Sequence, residues 1–229
     1  MQVDPIREGV AVPRGRPAAR VGWVLLWLAL AAFAAEFIRH VYLKYAALES
    51  PAYAMFLTRR GWLWCHLGGG AVGIVLGTLQ FATQRWRRHA WLHRWVGRAY
   101  FAGMLVAMLG ATALIATSPV PMPIRVAFAA TEAAWLVVAS AGLLAIRRGQ
   151  VALHQRWMLR AYLVTLAPVV FRIALYAAVD AGMAPSPNMI AALLWGSWAV
   201  PLLVDALGRW VANAALRGAR TAAVRAGTG

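Results

Sequence analysis

Long apolar runs, separated by short connectors rich in either arginine or proline, set the pattern of this chain. Five of them, Trp62–Thr83, Trp95–Thr117, Val126–Ile146, Trp157–Val179 and Met189–Leu207, reach about 20 residues, the length at which a helix crosses the hydrocarbon core of a bilayer. A shorter run, Val21–Phe37, predicts a further span. Its Ala32-Phe33-Ala34 also resembles a signal-peptidase site, which leaves a retained helix and a cleaved signal both open. The pattern predicts an all-α, polytopic membrane bundle of six transmembrane helices over residues 21–208, with its core over 62–180. A basic, proline-containing leader (1–20) and a basic tail (209–229) read as disordered cytoplasmic segments, and 37–57 as an interfacial helix.

The connectors orient the bundle. Arg85, Arg87, Arg88 and Arg94 fill the connector between the second and third helices, Arg147, Arg148 and Arg156 the one between the fourth and fifth, and Arg209, Arg217, Arg220 and Arg225 the tail. The opposite connectors, Ser118–Pro123 and Gly182–Asn188, are uncharged. Positive charge collects on the cytoplasmic side of membrane proteins, so both termini are expected in the cytoplasm of a bacterium, with the chain in its inner membrane. Arg39, Lys44, Arg59 and Arg60 run against this trend in the first external loop.

Composition fixes the class. At 62% hydrophobic and 13% charged residues, the chain has too little polar surface for a soluble domain. Its net charge of +16 raises nucleic acid as a partner, but the arginines cap apolar runs instead of forming one stripe. The bilayer is therefore the expected partner and nucleic acid is not. One cysteine, Cys65, excludes an internal disulfide and any cysteine-rich metal or iron–sulfur framework. No nucleophile motif, phosphate loop, GxGxxG or HExxH is present, so hydrolase and nucleotide-binding readings lack support.

Candidate chemistry comes from a repeat. His93-Arg94-Trp95-Val96-Gly97-Arg98-Ala99-Tyr100 is nearly restated as His154-Gln155-Arg156-Trp157-Met158-Leu159-Arg160-Ala161-Tyr162, and each copy opens an apolar run. This predicts a four-helix core built from a repeated two-helix unit, with two imidazoles at one membrane surface. Such a pair suits bis-imidazole ligation of a b-type haem between the third and fifth helices. Arg94, Arg98, Arg156 and Arg160 would then suit its propionates; alternatively they anchor helix ends among lipid headgroups.

His66 tops a face holding Gly70, Gly73 and Gly77, which reads either as close helix packing or as room for a macrocycle beside a third ligand. His89, four residues before His93, could complete a three-histidine zinc site with His154, although the surrounding arginines disfavour a bare dication. Within the fifth helix Arg172 lies five turns from His154, on the same face of a straight helix. Glu132 is its expected partner in a structural ion pair, with Asp180 nearer the surface. Asp205 reads as a boundary residue near Arg209.

From His66 to about Asp205 the chain resembles the predicted bacterial membrane protein family catalogued as domain of unknown function "two-three-zero-six". The residues that carry the likeness are the glycine run from His66 to Gly77 with Leu79-Gln80-Phe81, the two repeated motifs, and Phe171-Arg172. The resemblance implies architecture and no activity. More loosely the chain is similar to diheme transmembrane b-type cytochromes of the ferric reductase kind. That similarity implies haem at His93 and His154 and leaves His66 without a partner, since the repeat sets Phe128 opposite it. Two functions compete: transmembrane electron transfer with haem b and an electron donor or acceptor, and a non-redox transporter or lipid- or anion-binding scaffold.

Overall fold

All regular structure among the described residues is helical, and the apolar runs of the sequence account for most of it. The computed structural model describes residues 28, 32, 35–45, 51–83 and 90–227. The leader, most of the predicted first span and the connector bearing His89 lie outside them. Residues 35–45 form α1, and a 3-10 helix, Pro51–Arg59, leads into α2 (Arg60–Thr83). Then come α3 (Ala90–Thr117), α4 (Met122–Arg147), α5 (Val151–Thr165), α6 (Ala167–Asp180) and α7 (Pro187–Gly227).

Among the described residues four stretches are long and apolar enough to cross a membrane: Ala54–Phe81, Ala90–Thr117, Met122–Arg147 and Pro187–Gly218. The pair α5 and α6 makes a fifth if its two halves, inclined at 43°, count as one span. The protein is thus an all-α, polytopic membrane bundle. Small residues make up much of its interior: Ala107, Ala127, Ala139 and Ala161 are almost completely buried, beside the larger Tyr100 and Met104, while Leu105, Leu109, Val137, Leu203 and Val204 face outward. Small residues between helices packed in lipid allow close backbone approach, which replaces the hydrophobic drive.

The break between α5 and α6 departs from the single straight helix that Trp157–Val179 predicts. Pro168 sits in the first turn of α6. It has no N–H to give Val164, four residues earlier, and its ring crowds that carbonyl. The ladder therefore restarts at Leu166, whose N–H still reaches Tyr162 O at 3.0 Å while its own carbonyl accepts from Val169 and Val170. At its far end the chain also differs from the reading of a disordered tail: α7 continues past Leu207 to Gly227. Alanine and arginine dominate that extension, and both are strong helix formers.

With α5 and α6 taken as one bent span, consecutive spans alternate in direction, so the connectors fall at two ends of the bundle. One end carries the arginine-rich connectors and the other the proline-rich ones. Gly149 (φ +71°) and Gly182 (φ +84°) turn the chain after α4 and α6 in the left-handed conformation that glycine adopts without strain. The closest pairing is α2 with α3. A Cβ at Gly110 would lie 2.5 Å from Trp62 O and from His66 N, so here the two backbones touch.

Candidate functional site

Both copies of the repeated motif fold alike. On α3 the Arg98 guanidinium lies 5.0 Å from the Trp95 ring centre, and on α5 Arg160 lies 4.8 Å from that of Trp157. Three residues apart on a helix, each pair shares a face, and the cation rests on the indole π-system. One turn deeper the motif tyrosines turn inward. Tyr100 is 1% and Tyr162 8% exposed, and each meets a threonine of another helix, Thr165 of α5 and Thr78 of α2.

The hydroxyl directions follow from what each threonine does locally. Thr165 Oγ1 donates to Ala161 O at 2.9 Å, so the Tyr100 hydroxyl, 2.9 Å away, donates to Thr165. Trp135 Nε1 in turn donates to the Tyr100 oxygen at 3.1 Å. Thr78 Oγ1 donates to Ile74 O at 2.9 Å, so Tyr162, at 2.5 Å, donates to Thr78. This buried cluster of two tyrosines, two threonines and a tryptophan sits against the break in α5–α6 and satisfies its own polar atoms, as a membrane interior demands. Sequence reasoning passed over it. The signal was the Ala-Tyr that closes both copies of the motif.

The histidines divide into two places. His154 Nδ1 lies 2.8 Å from Gly142 O on α4; since a carbonyl only accepts, Nδ1 carries the proton and Nε2 is the free ligand position. His93, within electrostatic reach of His154, has a buried Nδ1 that no group among the described residues satisfies. Its own carbonyl accepts from the Gln80 side chain at 2.6 Å, which ties the end of α2 to the first turn of α3. His66 is elsewhere, toward the proline-rich end, with Nδ1 3.1 Å from Ala107 O and within electrostatic reach of Glu132.

The glycine face of α2 is occupied. A Cβ at Gly73 would lie 3.5 Å from the Trp135 ring and 3.6 Å from the Thr165 methyl, and one at Gly77 would run into the Tyr162 ring, while Gly70, one turn from His66, opens on empty space. Close packing by side chains of α4 and α5 therefore describes this face at Gly73 and Gly77. Among the described residues no three histidine, cysteine or acidic side chains are gathered to hold a metal ion. The three-histidine zinc set depends on His89, which lies outside them.

Among the arginines, Arg160 Nε donates to Asp205 Oδ2 at 3.0 Å, and Arg209 lies against the same carboxylate. Arg94, Arg98 and Arg156 are exposed at the same end. The Glu132–Arg172 pair expected from the sequence does not form. Glu132 Oε1 accepts instead from Thr112 Oγ1 at 2.6 Å, which turns it toward α3, and the Arg172 guanidinium lies 5.8 Å from the Phe37 ring centre. The bend at Leu166 is the cause: it redirects α6, so the five-turn register that placed Arg172 on the His154 face of a straight helix is lost.

Residues 63–208, which hold both repeated motifs and the tyrosine–threonine cluster, match the family described as a predicted membrane protein (DUF2306). The chain belongs to that family. No curated protein and no solved structure matches it. Membership in DUF2306 agrees with the likeness carried by the repeated motifs, whereas the looser similarity to diheme cytochromes finds no counterpart in these comparisons. The family description fixes a membrane protein and no activity.

Proposed function

We propose that this DUF2306 protein is a transmembrane electron carrier that holds one b-type haem between α3 and α5, with His93 and His154 as axial ligands. The observation that carries this reading is the pair of imidazoles at the arginine-rich end, within electrostatic reach of each other. His154 is fixed through Nδ1 on the Gly142 carbonyl with Nε2 left over, the arrangement typical of a metal-bound imidazole. His93 keeps a buried nitrogen without a partner among the described residues, and such a nitrogen is rarely left unsatisfied in a folded protein.

The surrounding residues fit the group in part. Exposed Arg94, Arg98 and Arg156 supply positive charge at the same end for carboxylate groups, but Arg160 is already held by Asp205. When bound, haem would supply one-electron chemistry; the chain's own contribution is to orient His154 through Gly142 and to keep the pair partly shielded. Haem-replete protein should show a Soret band, and sharpened visible bands on reduction, since two imidazoles make a strong axial field. His93→Ala and His154→Ala should each abolish them, and His66→Ala should leave them. Colourless, folded protein from haem-replete cells overturns the proposal.

The non-redox alternative has its own support in the broken α5–α6 helix. Interrupted helices that carry buried hydroxyl groups near the middle of a span line substrate sites in many transporters, and the Tyr100–Thr165 bond lies at such an interruption. Uptake into proteoliposomes that is lost in Tyr100→Phe would favour that reading.

A further inference from the structure

We infer that the cleft between α3 and α4 toward the proline-rich end binds a small amphiphilic amine, with its ammonium group on Glu132. The cleft measures about 430 Å³ and is lined by Met108, Thr112, Ala116, Ala129, Glu132 and Leu136, among others, a size ordinary for small-molecule sites. Apart from Glu132 and the Thr112 hydroxyl, its walls are aliphatic. Leu136 on its rim is 43% exposed, so the cleft opens on the surface that faces lipid. Entry from the bilayer suits a ligand with an apolar tail.

The carboxylate decides the sign of the ligand. Glu132 is ten residues into α4, roughly 15 Å along its axis at the usual helical rise. A carboxylate at that depth calls for a cation. None is supplied by the described residues: its one hydrogen bond comes from Thr112, and Arg172, the cation that the sequence offers, lies over Phe37. His66 is the titratable neighbour on the other side, but its Nδ1 donates to Ala107 O and among the described residues no hydrogen bond or ion pair joins it to Glu132. Glu132 Oε2 is thus left for a donor arriving in the cleft. A primary ammonium supplies three N–H donors and a full charge, and an alkyl tail matches the aliphatic walls; a neutral alcohol of equal length lacks the charge that Glu132 selects.

The inference does not depend on haem, and binding alone tests it. The full-length protein, reconstituted in lipid nanodiscs, is titrated with radiolabelled octylamine and, separately, octanol, and counts above those of empty discs are recorded. Octylamine should bind saturably and octanol should not. In Glu132→Gln the affinity for octylamine should fall by about tenfold or more, the value of a hydrogen bond to a charged group. Leu136→Trp, which fills the cleft and leaves the carboxylate in place, should also weaken binding, so the proposal is tested even where Glu132→Gln folds poorly. Equal octylamine affinity in wild type and both variants, equal saturable binding of octanol, or no saturable binding of octylamine overturns it.

Discussion

Asp205 of α7 accepts from Arg160 Nε of α5 at 3.0 Å. Arg209, one turn further along α7, lies against the same oxygen, so one carboxylate serves two guanidinium groups. This is the contact through which the second copy of the repeated motif is fastened to α7. Among the described residues the first copy has no such anchor, and Arg98 is exposed.

Removing the carboxylate should therefore hurt more than removing either arginine. In Asp205→Asn two cations are left facing each other with the charge between them gone. Breaking a well-buried pair costs several kcal/mol, but Arg160 and Asp205 retain side-chain exposures of 26% and 11%, so a loss of about 2 kcal/mol is expected. Arg209→Gln should cost less, because Arg160 keeps its partner. Denaturant unfolding in detergent, followed by tryptophan fluorescence, checks the order; an Asp205→Asn variant as stable as wild type would show that the contact contributes nothing.

The glycines of α2 offer a sharper contrast. A methyl at Gly77 would fall 2.5 Å from Tyr162 Cδ2, whereas one at Gly70 meets nothing within 4 Å. Gly77→Ala must displace the Tyr162 ring and strain its bond to Thr78, and overpacking of this kind costs about 1–3 kcal/mol. Gly70→Ala should be neutral or stabilising by up to about 1 kcal/mol, since alanine is the better helix former. Melting temperatures that fall alike in both variants would contradict this packing.

Much of the architecture was legible because bilayer helices announce themselves by length and hydropathy. Trp62–Thr83, Trp95–Thr117, Val126–Ile146 and Met189–Leu207 each lie within one helix. The straight fifth helix was misread although Pro168 stood in plain view, because proline within an apolar run is tolerated in membranes and its effect depends on what packs around it. The site was legible only as residue types. The repeat predicts His93 and His154 at one end, and there they lie within electrostatic reach of each other. Nothing local could show that α6 turns away and takes Arg172 from Glu132, or that Tyr162 and Trp135 fill the glycine face. Those are properties of how the two units lock together.

That lock predicts how the tyrosines respond to loss of their hydroxyls. Tyr100→Phe leaves Trp135 Nε1 and one lone pair of Thr165 unpartnered in a buried place, while Tyr162→Phe affects only Thr78, whose hydroxyl keeps its bond to Ile74 O. Leaving a buried donor unsatisfied costs about 1–3 kcal/mol, against about 1 kcal/mol for an ordinary hydrogen bond. Tyr100→Phe should therefore be the more damaging substitution, and adding Trp135→Phe should cost little more, because the orphaned donor goes with it. Full additivity of the two losses would mean that the Trp135–Tyr100 bond does not form in the membrane.

The last prediction concerns orientation. Arginine-rich connectors assign their end of the bundle to the cytoplasm, yet cations also lie at the opposite end, and the structure gives them local work. Arg59 Nη1 donates to Thr117 O at 3.1 Å and Arg125 Nε to Ile115 O at 3.1 Å. Both satisfy carbonyls in the last turn of α3, where the helix dipole favours positive charge. Arg39 is paired with Glu36. These cations are committed to the fold, so they weigh less in the charge asymmetry than the exposed Arg147, Arg148 and Arg156. In a Cys65→Ser background, a cysteine at Ser186 should react with an impermeant thiol reagent added to intact cells, and one at Gln150 should react only after the membrane is opened. The reverse pattern would place both histidines of the proposed haem pair at the outer surface and overturn the assignment.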